Sequence, residues 1–255
     1  MRPRRAPAPP AVGAPRELTI ERIGAQGDGV AAGPVFASLT LPGERVRAAV
    51  AGDRAEGIEV LAPSPERVQP PCPHFGDCGG CALQHWRAEP YLVWKAEQVR
   101  LALAHHRIET EILPTFAAPP GSRRRIALHA RAGQGGALVG FKARRSWRLA
   151  PIEVCPVADP RLVAALPALR RLAAPLFEAP KSAPTLHVTL TETGLDIDIT
   201  GVERRAGALS ADARVRVAQA AAEADFARVT QDGEILYQAR PAMIRVGRAS
   251  VALPP

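Results

Sequence analysis

The chain has 255 residues and a mass of 27.1 kDa, and 47% of its residues are hydrophobic, which is enough for the core of one large domain or two smaller ones. Its formal net charge of +8 at pH 7 favours an anionic partner, with nucleic acid first and a membrane surface second. A run of about 18 apolar residues occurs nowhere, which excludes an ordinary transmembrane helix, so we expect a cytoplasmic protein.

The N-terminal quarter of the chain predicts a leader followed by a small barrel. Residues 1–15 are rich in proline, alanine and arginine, lack core-forming side chains, and predict a disordered leader. Residues 16–66 contain five short strand-like runs separated by turn residues, which predicts a closed β-barrel. The glycines of residues 24–29 are spaced like a phosphate-binding loop, but a strand-like run follows them, so we interpret them as a hairpin turn.

Residues 67–255 predict an α+β domain with an antiparallel sheet and helices on one face. The helical periodicity covers residues 89–106, 160–177 and 211–224, and Ser210 suits the N-cap of the last helix. Alternation and turn residues predict two hairpins and four closing strands. The hairpins pair residues 125–131 with 137–141 and 186–190 with 195–199, and the closing strands are 226–230, 235–238, 243–246 and 250–253.

The four cysteines are unevenly distributed along the chain. Cys72, Cys78 and Cys81 form a C-x5-C-x2-C motif, and Cys155 lies far downstream. In a reducing cytoplasm two structural disulfides are not expected, so the clustered thiols favour a metal centre. Gly79 and Gly80 separate the last two clustered thiols and permit a tight turn between them.

This spacing leaves iron–sulfur, zinc and no metal as alternatives. Structural zinc usually draws its ligands from two C-x2-C pairs. Here the division is three plus one, and proline follows both Cys72 and Cys155, as in ferredoxin-type ligation of a [4Fe–4S] cluster. His74 and His85 are further candidate ligands, but four thiols complete such a site without them.

The cysteine segment carries a family resemblance. Residues 72–81, with the sequence CPHFGDCGGC, closely resemble the cluster segment of the bacterial 23S rRNA (uracil-5-)-methyltransferases. Further matches occur in the same order as in that family, and the resemblance covers residues 16–255. The further matching residues are 24–30, 42–44 and 46, then 83–85, 91 and 95, and then 123–125, 140–142 and 155–157.

This resemblance implies a TRAM barrel at residues 16–66 and an iron–sulfur central domain at residues 67–255. It implies that a [4Fe–4S] cluster is held by Cys72, Cys78, Cys81 and Cys155, and that the partner is RNA, specifically 23S rRNA rather than tRNA. In the family a SAM-dependent catalytic domain follows, and we expect this chain to lack it. A separate catalytic domain is therefore a further possible partner.

Methylation of uracil at carbon 5 requires a nucleophile that adds at carbon 6, and in the family this nucleophile is a cysteine of the catalytic domain. The metal site accounts for all four cysteines of this chain, and no glycine-rich strand-to-helix turn suited to SAM is present in the sequence. We therefore expect the chain alone neither to bind SAM nor to methylate RNA.

The excess positive charge is confined to residues 121–148. This segment has eight basic residues and no acidic one, so the other 25 basic residues are balanced by 25 acidic residues. Arginine binds phosphate bidentately and stacks on unpaired bases, which makes the segment the candidate RNA-binding surface. Its basic residues are Arg123, Arg124, Arg125, Arg131, Lys142, Arg144, Arg145 and Arg148.

Two other function classes remain open at this point. One is a stand-alone RNA-binding module with a structural iron–sulfur cluster, and the other is a redox protein that uses the cluster for electron transfer. RNA affinity without redox activity distinguishes the first from the second. The three tryptophans, Trp86, Trp94 and Trp147, are too few for an extended base-stacking platform.

Overall fold

A computed structural model of the chain describes residues 13–203 and 209–254. The greater part of the predicted leader, residues 1–12, lies outside the described residues. The chain forms two compact units, one containing the residues up to 71 together with 81–117, and the other containing residues 72–80 and those from 118 onward. The short segment 72–80 therefore belongs to a different unit from the residues on either side of it.

The first unit begins with a closed five-stranded barrel of strand order β1-β2-β3-β5-β4, as the sequence predicted. Leu18, Ile20 and Val46 belong to the apolar core of the barrel. The predicted hairpin turn is confirmed, since the Gly24 amide donates to the Asp28 carbonyl across 2.8 Å. The strands are β1 (Arg16–Ile23), β2 (Gly29–Ala31), β3 (Val35–Ala37), β4 (Arg45–Ala51) and β5 (Arg54–Ala62).

One long helix, α1 (Ala88–His105), completes the first unit. Pro90 lies in its first turn, where the missing amide hydrogen costs no helical hydrogen bond. Near the start of the helix, Trp86, Tyr91 and Trp94 form a cluster of three rings with centroids 6.1–6.4 Å apart. These rings, rather than a long apolar stripe, attach the helix, since no residue of α1 is fully buried.

The second unit is built on a seven-stranded sheet of order β12-β11-β10-β9-β6-β7-β8, beside a separate two-stranded sheet. The seven strands are β6 (Arg125–Gly133), β7 (Gly136–Lys142), β8 (Leu149–Pro151), β9 (Thr185–Thr191), β10 (Gly194–Thr200), β11 (Arg228–Gln231) and β12 (Glu234–Gln238). The small sheet pairs β13 (Met243–Val246) with β14 (Ala249–Ala252). Both predicted hairpins, β6–β7 and β9–β10, are present.

Two expectations for this unit need correction. The sheet is mixed rather than antiparallel, because helix α4 (Ala211–Glu223) crosses between β10 and β11 and returns the chain in the same direction. The predicted helix 160–177 is divided into α2 (Pro160–Ala164), α3 (Leu166–Ala173) and a short 3-10 turn. Pro167 explains the break, since proline inside a continuous helix would lose a hydrogen bond and clash with the preceding turn.

The two faces of the seven-stranded sheet differ in character. On one face, Ile126, Leu128 and Val188 join the apolar core that also contains Leu169 of α3 and Val217 of α4. The opposite face of the central strands β6 and β9 is polar and at least partly exposed. The residues on this face are Arg125, Ala127, His129 and Arg131 of β6 and Thr185, His187 and Thr189 of β9.

Candidate metal centre and nucleic-acid interface

The cysteine segment 72–80 is attached to the end of β7 by backbone hydrogen bonds. The Gly79 amide donates to the Lys142 carbonyl across 2.9 Å, and Cys78 forms a bridge with Ala143. A Cβ atom on Gly79 would lie 2.7 Å from the Lys142 carbonyl oxygen, so this close approach requires glycine. The fold thus brings Cys78, Gly79 and Lys142 together in one backbone arrangement.

The same segment also reaches the strand that leads to the remote cysteine. The His74 ring accepts a hydrogen bond at Nε2 from the Glu153 amide across 3.2 Å, two residues before Cys155. Cys155 packs against the main apolar core, and its carbonyl accepts from the Ala158 amide across 3.2 Å. Within the second unit, the His74 side chain thus ties the segment that carries Cys72 and Cys78 to the part of the chain that carries Cys155.

All four cysteines are half-buried and none forms a disulfide. The Gly80 amide donates to the Cys78 Sγ atom across 3.4 Å, the type of contact that backbone amides make to metal-bound thiolates. Cys81 follows Gly80 directly but belongs to the first unit. Over residues 13–203 and 209–254, no group of three or more His, Cys, Asp or Glu is arranged to hold a metal ion.

Arg148, one of the eight predicted RNA-binding residues, contacts the cysteine segment. Its guanidinium forms an ion pair with the Asp77 carboxylate, and the Arg144 amide donates to the Asp77 carbonyl across 3.3 Å. The hydrogen bond from Arg148 holds the pKa of Asp77 below its ordinary value of 3.8. The contact that the structure shows for the Arg148 guanidinium therefore holds the segment between Cys72 and Cys78 in place.

The arginines at the start of β6 are positioned by the loop that follows Cys155. The Arg123 amide donates to the Val157 carbonyl across 3.1 Å, and the Arg123 carbonyl accepts from the Asp159 amide across 2.9 Å. The side chains of Arg123, Arg124 and Arg125 are all exposed. They line a cleft of about 400 Å³, whose lining residues are Arg123, Arg124, Arg125, Thr189, Leu190 and Ile244.

A larger cleft of about 600 Å³ is lined by residues 129–132 of β6, by the end of β7 and by the chain before β9. Arg131 and Lys142 line it, as do Trp147 and Lys181, which the sequence analysis did not assign to the RNA-binding surface. Lys181 precedes β9 and reaches this position only through the pairing of β6 with β9, so no local sequence signal marks it. Five of the eight predicted basic residues therefore line two different clefts of the same unit, and Arg144, Arg145 and Arg148 line neither of these two.

His129 lines the larger cleft and is half-buried. Its Nδ1 atom is 2.9 Å from the Thr185 hydroxyl oxygen, so the two side chains share a hydrogen bond. Burial lowers the pKa of His129 below its ordinary value of 6.5, and the charges of Lys142 and His187 lower it further. At neutral pH this imidazole is therefore an uncharged hydrogen-bonding group within a positively charged cleft.

Comparison with known proteins identifies relatives of most of the chain. No protein-family model matches it. An uncharacterized RNA methyltransferase of Caulobacter vibrioides is 68% identical over 246 residues, which cover 94% of this chain and 59% of that protein. One of Brucella suis is 42% identical over 243 residues, which cover 94% of this chain and 57% of that protein.

A relative with a more specific name is the 23S rRNA (uracil(1939)-C(5))-methyltransferase RlmD of Alkalilimnicola ehrlichii. It is 39% identical over 195 residues, which cover 71% of this chain and 43% of that protein. These relatives confirm the family resemblance, and the chain spans less than two thirds of the length of each. Among the described helices, none combines the length and the apolarity needed to cross a membrane.

Proposed function

We propose that this chain, which is homologous over most of its length to proteins named RNA methyltransferases, forms the RNA-binding and iron–sulfur part of a SAM-dependent rRNA uracil-C5 methyltransferase. The substrate class follows from the RlmD relatives, whose name specifies 23S rRNA. The proposal assigns RNA binding to the second unit and assigns methyl transfer to none of the described residues. A cytoplasmic location remains part of this proposal.

The observation that carries the proposal is the direct connection between the cysteine segment and the basic hairpin. Gly79 bonds to Lys142, Arg148 pairs with Asp77, and Arg123 bonds to the loop after Cys155. A group bound by the thiols would thus fix the backbone that presents the basic side chains. This arrangement favours a structural role in RNA binding over electron transfer, for which no such connection is needed.

The composition of the four thiols, rather than their arrangement, suits a [4Fe–4S] cluster. Cys72, Cys78, Cys81 and Cys155 are unbridged, half-buried thiols in the four-cysteine composition that such clusters require. When bound, the cluster would supply a cross-link between the cysteine segment and the chain around Cys155. Cys81 is assigned by its spacing to Cys78, since the structure groups it with the other unit.

The first prediction concerns metal content. Protein purified without oxygen should contain about four irons per chain and show broad thiolate-to-iron absorption. Replacing Cys155 by serine should abolish stoichiometric iron and lower the unfolding temperature, because the cross-link over the 73 residues between Cys81 and Cys155 is lost. Metal analysis and thermal unfolding measure both effects.

A matched control is Ser182→Ala, which removes a small polar group of the same unit far along the chain from all four cysteines and should retain iron. Stoichiometric zinc without iron in anaerobic protein would show that the site is a zinc centre. RNA binding is tested separately with a 23S rRNA fragment, and SAM with calorimetry. Reversible electron transfer without RNA affinity would instead support the redox alternative.

A further inference from the structure

The larger cleft presents an aromatic ring whose exposure has no structural explanation in the described chain. Trp147 is 80% exposed, although it lies between two strands of the main sheet, β7 and β8. The Arg131 guanidinium donates to the Trp147 carbonyl across 2.8 Å, which fixes the backbone of the loop at this point. Tryptophan is enriched at interfaces, so an indole ring that a fixed loop holds beside a cleft is a candidate ligand contact.

One face of this ring is already occupied by a cation. The Lys142 Nζ atom lies 3.8 Å from the centroid of the Trp147 ring. Because the ring nevertheless remains 80% exposed, its other face is accessible to solvent. A planar ligand group on that face would complete a stack in which the cation, the indole and the ligand lie in sequence.

The lining of the cleft selects an anionic ligand that also has hydrogen-bonding edges. Three cations line it, Arg131, Lys142 and Lys181, and no acidic residue does so among the described residues. His129 and Thr185 supply polar groups to its lining. Its volume of about 600 Å³ lies within the range of clefts that hold a single small ligand, roughly 300–1,000 Å³.

We propose that this cleft binds one unpaired nucleotide of the RNA, with its base stacked on the exposed face of Trp147 and its phosphates bound by Arg131 and Lys181. This inference rests on the proposed RNA-binding function and adds the substrate feature that the cleft recognises. The base must be unpaired, because a base within a duplex has both faces covered by its neighbours. Stacking on an aromatic ring is how proteins bind such bases with little sequence preference.

The experiment uses the full chain and two fluorescent probes. One is an oligouridylate of eight nucleotides, and the other is an abasic ribose-phosphate oligomer of the same length and charge. Replacing Trp147 by alanine should weaken oligouridylate binding about tenfold, because one base loses its stacking partner. Replacing it by phenylalanine should retain most of the affinity. Neither change should affect the abasic probe, and neither should alter the salt dependence of binding, since no charge is removed.

Phe116→Ala is the matched control, since this aromatic residue is 87% exposed and lies in the other unit. It should bind both probes as the unchanged protein does. Arg131→Ala should weaken both probes and reduce the slope of log affinity against log salt by roughly 0.7 for each phosphate that the variant no longer binds.

The outcomes separate this inference from the proposed function. If the unchanged protein binds both probes and Trp147→Ala binds oligouridylate equally well, or loses affinity for both probes alike, stacking on Trp147 is wrong and RNA binding stands. If the unchanged protein binds neither probe, RNA binding itself is wrong. If free uridine monophosphate binds as tightly as the oligomer, the cleft is a site for free nucleotides rather than for RNA.

Discussion

Glu44 is a fully buried carboxylate that joins the barrel to the segment after it. It accepts hydrogen bonds from the Leu41 amide and the Ser64 amide, and it pairs with Arg67, whose Nε lies 2.6 Å from Oε1. Burial by itself raises the pKa of Glu44, but the hydrogen bonds from Arg67, Leu41 and Ser64 outweigh burial and hold the pKa below its ordinary value of 4.5. The charged form is therefore favoured in the folded protein.

Since the folded-state pKa of Glu44 is lowered, its contribution to stability is complete above 4.5 and is lost as the pH falls through the folded-state pKa. Glu44→Gln should lower the free energy of unfolding at pH 7 by about 3 kcal/mol, because Arg67 loses its partner. The variant should also lose less stability on acidification than the unchanged protein. Denaturant unfolding between pH 7 and pH 3 measures both effects.

The control for this change is Glu17→Gln on β1 of the same barrel. Glu17 is 55% exposed and its nearest ion pair, to Arg45, is 3.6 Å long, so its loss should change stability by less than about 1 kcal/mol. If both variants show the same pH dependence of stability as the unchanged protein, the buried pair is not the source of the acid sensitivity.

At the scale of elements, α4 determines the direction of β11 and so the mixed character of the sheet. Its N-cap is Ser210, whose hydroxyl accepts from the Ala213 amide across 3.1 Å, as the sequence predicted. Ser210→Ala should lower the free energy of unfolding by about 1 kcal/mol, because the first turn loses a capping acceptor. Ser210→Asn should restore most of the loss, since asparagine caps equally well.

Denaturant unfolding followed by circular dichroism tests the cap. Equal destabilisation by alanine and asparagine would indicate that Ser210 acts through its other partner, the Glu178 carboxylate, rather than as a cap. The division of the predicted helix 160–177 belongs to the same scale. Its apolar residues do have helical spacing, but Pro167 and Pro175 impose breaks that the hydrophobic pattern alone does not reveal.

In the whole molecule, exposed arginines lie on different parts of the second unit. Three of the predicted RNA-binding arginines, Arg123 to Arg125, line one cleft, whereas Arg171 on α3 and Arg216 on α4 belong to the helices that cover the apolar face. Replacing residues 123–125 by alanine should weaken binding of a 23S rRNA fragment at low salt. It should also reduce the salt slope by roughly 0.7 to 0.9 for each phosphate that is no longer bound.

The matched control replaces Arg161, Arg171 and Arg216 by alanine. These three residues are also exposed, and their replacement also removes three charges. This triple variant should retain most of the affinity if position, rather than net charge, determines RNA binding. Fluorescence anisotropy at salt concentrations from about 50 to about 200 mM would make the comparison. An equal loss in both variants would show that the overall charge attracts RNA and that the cleft has no special role.

Local sequence patterns predict most of the strands and their turns. Five short strand-like runs predict the barrel, the glycines at residues 24–29 predict its hairpin turn, and the pattern at residues 125–141 predicts the basic hairpin, because these features depend on short-range backbone sterics and on burial of one face. The residues of the cysteine segment likewise carry the family resemblance, whereas their spacing alone leaves iron–sulfur, zinc and no metal as alternatives. Each of these signals lies within a few residues of the feature that it predicts.

The pairing of distant elements, in contrast, is visible only in the folded chain. The placement of β9 beside β6 brings Lys181 to the cleft that contains Trp147, and the attachment of residue 79 to Lys142 joins the cysteine segment to the hairpin. The direction of β11 likewise depends on a helical crossover. Such pairings connect residues tens of positions apart and minimise the free energy of the whole unit, so no local periodicity records them.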